Sequence, residues 1–280
     1  EVLRQFATDD LLVVVSAMGK TTNALEAVVW AYSEGRDTKE LMEALRRSHL
    51  SVLAEVAPED VAAAAELVLH FDKLNAYLKG KPSGNVDREY DQIVSYGELW
   101  STLIVSAHLK HAGLANTWLD ARTIVRTDSS YRAAKVEWTA CENLAERYLK
   151  PLLSEKPTRV VTQGFIGRTA DGLTTTLGRE GSDFSAAIFA YLLEAVSVTI
   201  WKDVPGMFNA DPKLFPDTAL LSHISYREAI ELSYFGASVI HPRTLQPLQK
   251  KSIPLYVRSF VDLAAPGTTI DHHSENDSLI

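Results

Sequence analysis

The sequence predicts an α/β fold in two lobes, with a mainly parallel sheet sandwiched between helical layers. Three observations carry that expectation. Leu11-Leu12-Val13-Val14-Val15 is a short apolar run rich in β-branched residues, the pattern of a strand buried on both faces. In the second half, strand-like and helical runs alternate, which suits parallel strands joined by crossover helices. A chain of 280 residues, 46% apolar and 23% charged, can bury a sizeable core without disulfide staples.

After a short opening helix, the first strand runs from Leu11 to Val15, and Ser16 to Asn23 forms a turn. Ala24 to Glu34 reads as a helix stopped at Gly35. Asp37 with Glu40 three residues on resembles a capping box ahead of Leu41–Val56. Pro58, Glu59 and Asp60 open the next helix, which runs to Gly80. Beyond the loop Gly80-Lys81-Pro82-Ser83-Gly84, a long helix is expected from Val86 to His111. Thr117–Asp120 and Thr123–Arg126 read as strands, and Tyr131–Leu149 as a helix. Strands follow at Arg159–Gln163, Thr174–Leu177, Val196–Trp201 and Ile253–Arg258, with helices at Phe184–Leu193, Tyr226–Phe235 and Pro242–Lys251. Ser154-Glu155-Lys156-Pro157-Thr158 is the expected lobe junction, dividing residues 1–155 from 156–270, with 271–280 a polar tail.

Composition excludes several classes. With 28 basic and 36 acidic residues the net charge is −8, which disfavours a nucleic-acid surface but not a local basic pocket. A single cysteine, Cys141, cannot form an internal bridge, so a reducing cytoplasm is expected. No run approaches the ~20 apolar residues of a membrane span, and Glu1, Arg4, Asp9 and Asp10 interrupt any apolar leader. His108 and His111 lack further ligands at metal spacing, and no Gly-x-Ser-x-Gly elbow occurs, so neither a metal site nor hydrolase chemistry is expected.

The chemistry concentrates where strands meet glycine turns. Ser16-Ala17-Met18-Gly19-Lys20-Thr21-Thr22-Asn23 offers backbone N–H groups and hydroxyls to an anion at a helix start. It is not a Walker A loop, because the first glycine would fall at Val14. Thr21 or Thr22 could equally serve as a plain N-cap. Thr162-Gln163-Gly164-Phe165-Ile166-Gly167 and Gly178-Arg179-Glu180-Gly181-Ser182-Asp183 are two further turns, brought together at the carboxyl edge of a parallel sheet. Arg179 can grip a carboxylate or phosphate with two parallel bonds. Ser182 and Asp183 open a helix, where capping is the plainer role. Lys202 and Lys213 flank a turn-rich loop that suits phosphates or is simply solvated. Glu98 follows Gly97 inside a helix, and such a glycine marks a close approach. Glu98 then faces either a cationic ligand group or solvent.

Six strings in this order resemble the aspartate kinases: Val15–Asn23, Ser95–Glu98, Thr162–Gly167, Gly178–Asp183, Lys202–Gly206 and Phe235–Pro242. The resemblance spans nearly the whole chain. It implies the amino-acid-kinase fold, with aspartate held by the amino-terminal lobe and MgATP by the carboxyl-terminal lobe. The implied reaction moves the γ-phosphoryl group of ATP to the β-carboxylate of L-aspartate, the first step toward lysine, threonine and methionine. By matching position, Ser16 and Thr22 hold the β-carboxylate, Glu98 the α-ammonium and Arg179 the α-carboxylate. Ser182 and Asp183 complete the pocket, and Arg179 and Asp183 take the catalytic assignment. Lys202, Asp203, Phe208 and Lys213 fall at the nucleotide, and a homo-oligomer is compatible with the resemblance.

Three departures accompany it. The Lys-Phe-Gly-Gly string of the family's first strand is missing, as though the chain were truncated. Ser238 stands where many members carry lysine. The regulatory ACT domains that usually follow are absent from the chain. Another amino-acid kinase, or an aspartate-binding module with impaired catalysis, are the alternative readings.

Overall fold

Leu11–Val15 (β1), Thr117–Leu119 (β2) and Arg159–Gln163 (β3) form a parallel sheet in the order β1-β3-β2. Leu11 lies opposite Arg159 and Val15 opposite Gln163, so both strands end at the same level. All five residues of β3 are buried, as a central parallel strand requires. These observations come from a computed structural model, which describes residues 1–154, 158–210, 214–215, 217–234 and 239–273.

The chain forms two compact units, Thr8–Ser182 and Asp183–Ile280 with Glu1–Ala7. The division therefore falls at Ser182, not at the expected junction near residue 155. The cause is β3, which lies between β1 and β2 and so binds the residues after it to the first unit.

The first unit is rich in helix: Thr21–Ser33 (α1), Lys39–Val56 (α2), Val61–Leu78 (α3), Val86–Val94 (α4) and Tyr96–His111 (α5). Asp60 caps α3 by accepting from the Ala63 N–H at 2.9 Å. The capping box expected at Asp37 is not made; Asp37 accepts from the Lys39 N–H instead, and the N-cap is Thr38. The single helix expected over Val86–His111 is broken at Ser95, whose hydroxyl donates back to the Gln92 carbonyl at 3.2 Å. Such back-bonding competes with the helical ladder and bends it. Leu25, Val28, Leu67, Leu74 and Ile93 pack around Phe71 and Trp100, whose rings stack at 3.9 Å.

Two more expectations shift. Thr123–Arg126 is not a strand: Ala121–Thr123 is a 3-10 turn capped by Asp120, and only Arg126 bridges Arg168. Regular helix begins at Trp138, not Tyr131, and runs as Trp138–Leu144 (α6) into the wider turn Ala145–Leu149. Ile166–Arg168 (β4) and Thr174–Thr176 (β5) then form an antiparallel hairpin, of which only the second strand was expected.

Gly181–Leu193 (α7) leads into the second unit. There Val198–Lys202 (β6), His223–Ser225 (β7), Leu255–Ser259 (β8) and Thr268–Asp271 (β9) form a sheet in the order β6-β8-β9-β7. The pairs β6–β8 and β7–β9 are parallel, and β8–β9 is antiparallel. Tyr226–Tyr234 (α8) and Pro242–Lys251 (α9) are the helices between these strands. Ile200, Leu221, Ile224, Leu245, Leu248 and Val257 form its core. The expected polar tail starts later than residue 271, since Asp271 closes β9; residues 274–280 lie outside the described residues.

Candidate active site

In the first unit β1 delivers the chain to Ser16 and β3 delivers it to Gly164, whose N–H donates to the Val15 carbonyl at 3.0 Å. A Cβ on Gly164 would lie 2.5 Å from Ser182 Oγ and 2.7 Å from its Cα, so only glycine lets the start of α7 approach this closely. That approach places the Ser16 hydroxyl 2.6 Å from the Ser182 hydroxyl, which accepts from it. The two glycine-turn motifs and the first turn thus meet at one sheet edge.

Thr22 lies in the first turn of α1 and is half-buried. Neither Thr21 nor Thr22 is the N-cap, which is Lys20 with no side-chain hydrogen bond. Thr21 turns its hydroxyl onto the Met18 carbonyl at 2.6 Å. Among the described residues no side chain caps the start of α1, where backbone donors and a positive helix end suit an anion.

Glu98 sits in the first turn of α5, and Gly97 explains its placement. A Cβ there would meet Ala17 Cβ at 3.1 Å and Thr21 Cγ2 at 3.3 Å. The close approach marked by Gly97 is therefore to the β1–α1 turn of the same chain. It brings the Ala17 backbone N–H close enough to the Glu98 carboxyl to oppose part of the pKa rise that burial causes. Glu98 is 3% exposed, and its Oε2 is buried without a hydrogen-bond partner. Burial pushes its pKa up to about 8, against the smaller lowering effect of backbone N–H donors. A buried carboxyl with one open oxygen can accept from a further donor.

Arg179 is exposed and has no ion pair among the described residues. It follows Gly178, whose φ is +79°, in the turn after β5.

In the second unit Asp183 and Lys202 form an ion pair at 2.9 Å, and Lys202 Nζ also donates to the Val239 carbonyl at 2.6 Å. The lysine is thereby held at the carboxyl end of β6. Asp203 follows it and is exposed, while Phe208 is half-buried and bridges Leu220. Lys213 and Ser238 lie outside the described residues, as do Phe235, Gly236 and Ala237 of the expected motif. The lone Cys141 is buried, accepting from the Arg126 N–H at 3.1 Å, a structural position.

Sequence reasoning missed Asp91, a fully buried carboxylate on α4. An aspartate within a helix otherwise reads as solvent-facing, and no local pattern marks it. Its partners are on β5 and in the loop before α6, far away along the chain.

These features define an α/β fold in which the glycine turns after β1, β3 and β5 meet at one sheet edge. Residues 1–259 match the Amino acid kinase family, and the chain belongs to it. Lysine-sensitive aspartokinase 3 of Escherichia coli is 35% identical over 268 residues, covering 96% of this chain and 59% of that protein. Bifunctional aspartokinase/homoserine dehydrogenase 2 of Zea mays is 37% identical over 284 residues, covering 95% of this chain and 29% of that protein. Among solved structures, E. coli aspartokinase III in complex with aspartate and ADP superposes with a TM-score of 0.84 at 35% identity, over 95% of this chain and 58% of that one. The fold is the amino-acid-kinase fold. The chain thus spans 29% to 59% of the length of these relatives. No helix among the described residues is long and apolar enough to cross a membrane.

Proposed function

We propose that this chain is the catalytic domain of an aspartate kinase, which transfers the γ-phosphoryl group of ATP to the β-carboxylate of L-aspartate. The observation that carries this reading is Glu98, a buried carboxyl whose Oε2 has no partner among the described residues, in the same unit as Arg179, which has no ion pair among them. An α-amino acid presents one ammonium and one carboxylate, and these two side chains complement them. The aspartokinase relatives supply the choice of amino acid, since the E. coli structure holds aspartate and ADP.

The roles come from the match to the aspartate kinases, and the chemistry of each group suits them. Glu98 accepts from the α-ammonium, and Arg179 donates two parallel bonds to the α-carboxylate. Ser16, Ser182 and Thr22 hold the β-carboxylate at the uncapped start of α1. That carboxylate has a pKa near ~3.9 and is already ionised at neutral pH, so no general base is needed. The work left to the protein is alignment of two anions and cancellation of their charge. Lys202 and Asp203 serve the nucleotide, with Phe208 against its apolar part, and Asp183 orients Lys202 by their ion pair. Lys213 belongs to the same proposed set by its sequence match.

Magnesium bound to the phosphates would neutralise charge developing on the transferred group. Among the described residues no cluster of three or more His, Cys, Asp or Glu is placed to hold a metal ion. We place residues of the first unit at aspartate and those of the second at MgATP. A buried free Cys141 suits a reducing compartment, and we place the protein in the cytoplasm on that ground.

An assay coupled to ADP release tests this reading. Turnover that needs L-aspartate and is not supported by L-glutamate is expected. Turnover with glutamate alone would indicate another amino-acid kinase, and aspartate binding without ADP release would indicate a binding module.

A further inference from the structure

Asp91 lies outside every motif of the proposed site, yet its carboxylate is fully buried and fully used. Oδ1 accepts from the Thr176 hydroxyl at 2.7 Å, and Oδ2 accepts from the Thr176 backbone N–H at 2.8 Å. Both oxygens also accept from the Arg132 N–H, at 3.1 and 3.0 Å. The next residue, Gln92, continues the attachment: Nε2 donates to the Thr174 carbonyl at 2.7 Å and Oε1 accepts from the Thr174 N–H at 3.1 Å. Consecutive side chains of α4 therefore grip the first and last residues of β5, in addition to its pairing with β4.

Two functional groups depend on what Asp91 holds. Thr176 ends β5, and Arg179 follows three residues later through Gly178. The Arg132 carbonyl seats that turn from the other side, lying 2.9 Å from where a Gly178 Cβ would stand. Arg132 itself has φ +65°, a conformation costly for a residue with a Cβ and maintained here by the bonds from its N–H to Asp91. On the other side, α4 leads through the single residue Ser95 into α5, which carries Glu98. One carboxylate thus ties the strand before the guanidinium to the helix before the ammonium acceptor.

We propose that Asp91 is a positioning residue that sets the Arg179 turn relative to Glu98 and so fixes how an amino-acid substrate is gripped. This rests on the function proposed above, because it presumes that Arg179 and Glu98 hold the two ends of one substrate. Recognition groups must be held within about 0.5 Å of their working geometry by supporting hydrogen bonds. Asp91 supplies such bonds to the last residue of β5, alongside the pairing of that strand with β4. Asparagine cannot replace it, since its amide nitrogen would face the N–H donors of Thr176 or Arg132.

The test compares Asp91→Asn, Thr176→Val and Arg179→Ala, singly and with Asp91→Asn added to Arg179→Ala, by calorimetric binding of aspartate and by steady-state kinetics. Asp91→Asn is expected to weaken aspartate binding about 10- to 100-fold, the scale of supporting-shell and small misplacement effects. Its KM for ATP should stay within about 2-fold. Thr176→Val, which removes only the hydroxyl, should weaken aspartate by a smaller factor and keeps the test open if Asp91→Asn folds poorly. In the Arg179→Ala background, Asp91→Asn should add less than about 2-fold, because a residue acting through another is not additive with it. Full additivity, or an equal rise in both KM values, would overturn the inference. So would unchanged aspartate binding in both single variants. A wild-type protein that binds no aspartate would instead overturn the function on which the inference rests.

Discussion

The Ser16 hydroxyl donates to the Ser182 hydroxyl at 2.6 Å, although 166 residues separate them in the chain. Gly164 is what permits it, for a Cβ there would overlap the backbone and side chain of Ser182. The end of β1 and the start of α7 are thereby joined through the glycine that follows β3.

Gly164→Ala should separate the two serines. The added methyl meets Ser182 Cα at 2.7 Å, a backbone atom that cannot swing aside. Overpacking of this kind costs about 1–3 kcal/mol, so the melting temperature should fall measurably. The KM for aspartate should rise more than the KM for ATP. A variant with wild-type stability and kinetics would show that the contact is dispensable.

Arg179→Lys keeps the charge and loses the planar fork. The KM for aspartate should rise far more than the KM for ATP, as steady-state kinetics with each substrate varied in turn would read. Equal rises would remove Arg179 from the α-carboxylate.

Glu98 makes a proton-linked prediction. With its pKa raised to about 8, the unliganded carboxyl is largely protonated at pH 7. Pairing with an ammonium ionises it, so aspartate binding should release up to about one proton near pH 7 and progressively less above pH 8. Calorimetry in two buffers of different ionisation enthalpy measures this, and Glu98→Gln should abolish the release. Succinate, which has no ammonium, should bind wild type without it. The same raised pKa makes the carboxyl stabilise the unliganded fold fully below about pH 4.5, a contribution lost as pH rises through about 8.

Lys202→Met removes a cation held by Asp183 and the Val239 carbonyl. Bonds to charged groups contribute about 1.5–3 kcal/mol, so the KM for ATP should rise about 10-fold or more. Aspartate affinity measured without nucleotide should change little. Loss of aspartate binding with unchanged ATP kinetics would exclude Lys202 from the nucleotide.

Much of the fold was legible in the sequence because it depends on local pattern. The β-branched run Leu11–Val15, the capping Asp60 and the proline at the start of α9 each mark an element in its own few residues. The short strands Ile166–Arg168, His223–Ser225 and Thr268–Asp271 were not legible, since three or four residues are too few for a period to show. Their partners define them. The break at Ser95 was hidden for a similar reason: the apolar pattern continues through it, and a hydroxyl back-bond to the Gln92 carbonyl leaves no mark on that pattern.

The sequence by itself determined which residue types stand at which turn, and with them the candidates Ser16, Glu98, Arg179, Ser182 and Lys202. Tertiary structure alone decided that Gly97 admits the β1–α1 turn, leaving one oxygen of Glu98 open beside it. It alone decided that Asp91 grips Thr176, 85 residues away. Periodicity records which face of an element is buried; it cannot record what is buried against it. A buried polar group must find a partner wherever the packed chain brings one, and that pairing is set by the fold.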